Sequence, residues 1–289
     1  LKRLGGIIPE ETLPILGCEK PYFYRNKIEF SFSETRWLTP DEIASKETID
    51  SRNGLGFHIA GAWDKVLDIH KCHLQQDPSN AIRNTLKAYA LSQGYTFYNP
   101  RNHTGWLRTI MIRITSLGEL MLVIQFLEER KEDREQLLGY LLEQFPQITS
   151  LQYIINNKPN DTIYDQEVIC YHGRDFIYEE MEGLHFKINA KSFFQTNSSQ
   201  AYELYKVTRD FAALTGEELV YDLYTGTGTI AQFVAKKAKK VIGVEAVPEA
   251  IADAKENARN NQIDNVEFFV GDMKNIFNED FIATHGIPD

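Results

Sequence analysis

Cysteine is scarce: Cys18, Cys72 and Cys170 stand far apart among 289 residues, with no CxxC pair. Three scattered thiols cannot build a disulfide scaffold, so no disulfide-linked partner is expected and a reducing cytoplasm is the default compartment. No stretch approaches the roughly 20 consecutive apolar residues that a bilayer span needs. No charged start leads into an apolar run either, so neither membrane insertion nor secretion is expected. Basic residues are in the minority, 31 against 41 acids, for a formal net charge of −10. That balance opposes a general affinity for polyanions, although a local basic patch depends only on where the charges sit. What is present is ordinary for a globular chain: 43% hydrophobic and 25% charged residues, in a length that suits two domains.

Residues 1–165 read as a mixed α+β domain. Alternation over 27–32 predicts a half-buried strand, and 55–59 and 66–69 predict two more. The acidic stretch between them, 35–52, is an exposed excursion with a helix-like 40–46. An amphipathic helix follows over 78–93, begun by Asp77-Pro78 and stopped by Gly94. Two β-rich runs, 107–115 and 120–127, flank Ser116-Leu117-Gly118-Glu119 as a hairpin. A helix at 133–145 and a strand at 150–156 lead to the densest turn signal in the chain, 156–161.

Residues 166–289 change rhythm. After a β-rich segment at 176–189 come helix 198–214, strand 219–223, helix 229–237, strand 240–245, helix 248–261 and strand 266–270. Strands alternating with helices predict an α/β fold with a parallel, doubly wound sheet. The alternation stops after three strands, half of a usual nucleotide-binding sheet, which predicts a fragment or a longer parent chain.

The run Leu219-Val220-Tyr221-Asp222-Leu223-Tyr224-Thr225-Gly226-Thr227-Gly228-Thr229 is an apolar strand entering a glycine turn and then a helix. Gly226 and Gly228 let the backbone turn sharply and approach a ligand. The next strand ends in Glu245, a carboxylate able to accept both ribose hydroxyls, and the third ends beside Asp272, within reach of an adenine. Three readings compete. Gly226-Thr227-Gly228-Thr229-Ile230-Ala231 fits the dinucleotide pattern of a NAD(P)-dependent oxidoreductase. The bland alternative is ordinary turn glycines with surface acids. Asp222 favours the third: an acid at the strand end repels a pyrophosphate but pairs with the ammonium of S-adenosylmethionine.

Further motifs sharpen that third reading. Lys191-Ser192-Phe193-Phe194-Gln195-Thr196-Asn197, then Asp222-Leu223-Tyr224-Thr225-Gly226-Thr227-Gly228, with Tyr24-Arg25-Asn26-Lys27-Ile28-Glu29-Phe30 near the start, resemble the TrmA/RumA family of RNA (uracil-5-)-methyltransferases in order and span. The resemblance implies a class I (Rossmann-like) methyltransferase domain, C-terminally incomplete, behind an α+β central domain that faces RNA. It implies S-adenosylmethionine as cofactor, with Gln195 at its methionine portion, Tyr224 and Thr229 around the glycine loop, Glu245 on the ribose and Asp272 near the adenine. The reaction it implies is methyl transfer to C5 of a uridine, first in 23S ribosomal RNA and second in transfer RNA. Family chemistry needs a cysteine that adds to C6 and a glutamate base. Both are expected beyond Asp289, and none of the three cysteines here is assigned that role.

The family also implies a 4Fe–4S cluster in a full-length parent, with Cys72 as its one surviving ligand in this chain. A single thiolate cannot hold a cluster, and His70 and His73 suggest zinc only weakly without a second ligand pair. Read without the family, Cys72 is an inert buried thiol. For RNA, Arg25, Lys27, Arg101, Arg108 and Arg113 are candidate phosphate contacts, interleaved with Tyr22, Tyr24, Tyr98 and Trp106 as stacking platforms. Each of these has a rival reading as a solvated arginine or a core aromatic. The remaining alternative outside catalysis is an RNA-binding scaffold without a cofactor.

Overall fold

Alternation gives the first strand two faces: in β1 (Lys27–Ser33), Ile28, Phe30 and Phe32 enter a core while Lys27, Glu29 and Ser31 point the other way. A computed structural model describes residues 2–45, 48–49 and 51–289 of the chain. A short helix α1 (Lys2–Gly5) and an extended segment precede β1. The excursion carries α2 (Pro40–Ser45), and Lys46, the expected end of that helix, lies outside the described residues.

Six further strands join β1 in one sheet: β2 (Gly54–Ile59), β3 (Ala62–Asp68), β4 (Leu107–Ile114), β5 (Leu120–Phe126), β6 (Ser150–Ile155) and β7 (Ile169–Gly173). Their order is β3-β2-β1-β4-β5-β6-β7, antiparallel except for the β5–β6 pair. Helices α3 (Ser79–Ser92) and α4 (Lys131–Gln144) cover one face through Ile82, Leu86, Leu137 and Leu141. Between β5 and β6, α4 makes the crossover that a parallel pair requires.

The opposite face is covered by a hairpin, β8 (Phe176–Met181) and β9 (Leu184–Asn189). The expected single β-rich segment divides here because Glu182 and Gly183 both turn with positive φ, 54° and 77°. After α5 (Ser198–Ala212) comes a parallel sheet, β10 (Leu219–Leu223), β11 (Lys240–Glu245) and β12 (Val266–Val270), in that spatial order. Helices α6 (Thr229–Ala235) and α7 (Pro248–Asn260) connect these strands. Past β12 the chain forms α8 (Met273–Ile276) and α9 (Glu279–His285), two short helices that the sequence pattern leaves unread.

One apolar core runs through both sheets. Met111, Met121 and Val123 of the seven-stranded sheet join Phe186 of the hairpin, Tyr205 of α5, Ala231 of α6, Val241 of β11 and Phe268 of β12. All eight residues of β4 are therefore buried, including two arginines. Arg108 enters the interior at a β-bulge between Leu107 and Thr109. Its guanidinium donates to the carbonyls of Asn156, Lys158 and Asn160 and to Asp161, and lies 4.3 Å over the Tyr98 ring. It holds a loop and has no reach to an RNA phosphate. Trp106 and Tyr98 are likewise core residues, 0% and 5% exposed, so neither offers a stacking platform. Among the described residues no helix is long and apolar enough to cross a membrane.

Candidate functional site

Beyond Leu223 the chain turns through three positive-φ residues, Tyr224 (65°), Gly226 (56°) and Gly228 (77°), before α6 begins. A non-glycine in the left-handed region is uncommon, and Tyr224 takes it while 74% exposed. The two glycines serve different ends. A Cβ on Gly228 would stand 2.7 Å from Phe268 Cζ and 3.0 Å from Ala254 Cβ, so its bareness lets the turn pack on β12 and α7. A Cβ on Gly226 would meet nothing within 4 Å, so the turn there lies open. It opens onto a cavity of about 520 Å3 walled by Tyr224, Gly226, Glu245, Val247, Ala250 and Asp253, with Tyr164, Lys191 and Phe193 opposite.

Two carboxylates organise this turn. Asp222 Oδ2 accepts from the Thr225 hydroxyl at 2.6 Å and the Ala231 amide at 3.0 Å, while Oδ1 has no protein partner among the described residues. Burial pushes the Asp222 carboxyl above its ordinary value, against the pull of those two hydrogen bonds. Glu245 Oε2 accepts from the Gly226 amide at 3.2 Å, and Oε1 accepts from Ala246 and Val247 at 2.8 and 3.1 Å. A carboxylate offers about four acceptor positions, so Glu245 retains capacity toward the cavity. A third acid, Asp253, accepts from Asn189 Nδ2 and Ser192 Oγ and so ties the end of β9 to α7. Burial raises its carboxyl too, ahead of the lowering by Ser192.

The structure brings Tyr224, Gly226 and Glu245 to the cavity wall, with Asp222 behind the turn. Thr229 is buried against Thr227, their hydroxyls 3.3 Å apart. Gln195 is exposed and outside the wall, contributing its backbone carbonyl to Asn26 Nδ2. Asp272 is exposed and caps α8 by accepting from the Lys274 amide. Tyr164, Val247 and Asp253 are not legible in the sequence, because a loop, the N-cap of α7 and its second turn carry them without any motif.

On the other sheet, Arg25 donates Nε to the Lys27 carbonyl, and Lys27 pairs with Glu29 at 2.7 Å. Arg101 pairs with Asp64 at 2.7 Å and lies 5.4 Å over the exposed Trp63 ring. Tyr22 is exposed, edge-on to His73, and Tyr24 is half-buried. Cys72 is 4% exposed in the core between the seven-stranded sheet and helices α3 and α4, its Sγ accepting from the Leu74 amide. Among the described residues no group of three or more His, Cys, Asp or Glu is arranged to hold a metal ion. The residues present do not fit an iron–sulfur cluster, which needs several thiolates converging, and Cys18 and Cys170 are exposed elsewhere.

Residues 215–285 match the family model of a methyltransferase domain. The whole chain is 56% identical over 294 residues to a Porphyromonas gingivalis protein named an uncharacterized RNA methyltransferase, covering 100% of this chain and 63% of that one. A Bacteroides thetaiotaomicron protein of the same name is 55% identical over 294 residues, covering 100% of this chain and 64% of that one. Among solved structures, the chain resembles Pyrococcus abyssi tRNA (uracil-54, C5)-methyltransferase in complex with S-adenosyl-L-homocysteine, with a TM-score of 0.69 and 25% identity over 89% of this chain and 58% of that one. The chain thus spans a little under two thirds of the relatives it matches. The region from β10 onward is a class I, Rossmann-like methyltransferase domain, the fold of the S-adenosylmethionine-dependent methyltransferases.

Proposed function

We propose that this chain is the cofactor-binding and RNA-facing part of a cytoplasmic RNA (uracil-5-)-methyltransferase of the TrmA/RumA kind, acting on C5 of a uridine. The observation that carries the proposal is the open turn at Gly226 held between Asp222 and Glu245. The names of the two relatives support RNA as substrate, and the solved neighbour supports uracil C5. When bound, S-adenosylmethionine supplies an electrophilic methyl group on sulfur. Glu245 would accept from its ribose hydroxyls, Asp222 Oδ1 would face its ammonium, and Tyr224 and Val247 would flank it in the cavity. None of the three cysteines lines this cavity, which supports assigning none of them as the nucleophile that uracil C5 methylation requires.

A dinucleotide fits the same turn poorly. The Ala231 amide at the start of α6, where a pyrophosphate would bind, is already taken by the Asp222 carboxylate. Isothermal titration separates the readings: S-adenosylhomocysteine should bind in the micromolar range, and NADH should not bind. The reverse result would overturn the proposal. For the intact parent, radiolabelled methyl transfer to 23S ribosomal RNA and to transfer RNA transcripts reads which RNA it prefers.

Asp222 adds a pH dependence. Its raised value means that the native state keeps the proton to higher pH than the unfolded chain does. Protein stability therefore falls as pH rises through the window above the ordinary aspartate value. A cationic ligand prefers the ionised form, so S-adenosylhomocysteine affinity should fall as the solution is acidified through that window. Binding should also release protons, measurable by titration in buffers of different ionisation enthalpy. An affinity that stays flat as the solution is acidified through that window would remove Asp222 from the ammonium site.

A further inference from the structure

A second cavity, of about 490 Å3, adjoins the first and shares Tyr164, Lys191, Ser192 and Phe193 with it. Its floor is the hairpin-side face of β1, β4 and β5, where Lys27, Met111, Arg113 and Val123 lie. Arg113 is 1% exposed, and its Nη2 donates to the Ser192 carbonyl at 3.2 Å. Its Nε and Nη1 are buried with no partner. A guanidinium can only donate, so two unpaired nitrogens carrying three N–H groups in the interior are costly unless an acceptor arrives.

The surrounding charges point the same way. Burial lowers the Arg113 value to about 10, so the group stays cationic at neutral pH. Lys27 stands directly opposite it in the β1–β4 register, and like charges in that position repel. The two acids of the wall form their ion pairs elsewhere, Glu29 with Lys27 and Asp161 with Arg108 at 2.6 Å, and Glu29 and the buried Glu179 favour the Arg113 charge only through space, less than burial opposes it. Arg113 makes no ion pair among the described residues. At the rim, Tyr164 and Phe193 are 72% and 70% exposed.

We infer that this second cavity is a subsite for one unpaired nucleotide of the substrate RNA, with Arg113 as the anchor for its phosphate and the rim aromatics as stacking faces. Arginine with exposed rings is the chemistry that single-stranded RNA selects. The nucleotide is a neighbour of the methylated one. The floor belongs to the seven-stranded sheet, whereas the reacting uridine must lie against the cofactor cavity of the methyltransferase domain. The inference rests on the RNA-methyltransferase reading.

The test measures two affinities for the wild-type chain, Arg113→Met and Arg113→Lys: that of a fluorescent single-stranded RNA of about eight nucleotides, and that of S-adenosylhomocysteine. Arg113→Met should weaken RNA binding about tenfold and reduce its salt slope by about 0.7, the share of one single-strand phosphate contact. Cofactor affinity should stay within about twofold, and Arg113→Lys should fall between, keeping the charge but losing the fork. Uridine monophosphate should displace the RNA where uridine at equal concentration does not. Inorganic phosphate that competes as well as the nucleotide would overturn the nucleotide subsite. Unchanged RNA affinity in Arg113→Met would overturn the anchor. Should Arg113→Met fail to fold, Arg113→Lys and the wild-type competition decide. A wild-type chain that binds RNA but no S-adenosylhomocysteine would refute the cofactor reading alone, because the RNA measurements report on the second cavity separately.

Discussion

Glu245→Ala is expected to weaken S-adenosylhomocysteine binding about a hundredfold, while the chain stays folded. Two ribose hydroxyls donating to a carboxylate, at roughly 1.5 kcal/mol each, account for about 3 kcal/mol, and each 1.4 kcal/mol is tenfold in affinity. Part of the loss is indirect. Glu245 also holds the amides of Gly226, Ala246 and Val247, so its removal loosens the turn that forms the wall. Glu245→Gln keeps the shape and one acceptor oxygen and should recover part of the affinity. Titration calorimetry on both variants reads the split. A cofactor affinity unchanged in Glu245→Ala would leave the non-catalytic scaffold as the better account.

Arg108→Met should cost about 3 kcal/mol of stability, read as a shifted urea midpoint at unchanged slope. The methionine fills much of the space, but three backbone carbonyls and Asp161 lose their donor. The consequence reaches the site, because the loop that Arg108 holds runs on to Tyr164, which stands in the walls of both cavities. Cofactor affinity should therefore drop severalfold as well. A loss below about 1 kcal/mol would mean that the loop keeps its shape without the guanidinium.

The contrast between these two residues marks what the sequence makes legible. Glu245 could be found because β10, β11 and β12 are short apolar runs, each followed by a turn and a helix, and the predicted bounds 219–223, 240–245 and 266–270 coincide with the observed strands. A parallel sheet fixes where strand ends fall, so the acid at the end of β11 is positioned by local pattern alone. The engagement of Arg108 and the burial of Arg113 are not legible because the run Leu107–Ile114 reads as a strand with polar residues left for solvent, yet both of its faces are covered. The covering hairpin lies more than sixty residues later, and nothing local announces it. Its turn, Glu182-Gly183, lacks the Asn-Gly or Asp-Gly signature that separates two strands by eye. The cavity walls at Tyr164 and Val247 were hidden for the same reason, since tertiary packing brings them in from segments with no motif of their own.

That hairpin has a larger consequence. Ile177 and Phe186 share one buried apolar cluster with Met121 and Val123 of the seven-stranded sheet and with Tyr205 and Ala231 of helices in the methyltransferase half. A cut after β7 would strip grease from both pieces, so neither is expected to survive as an independent body.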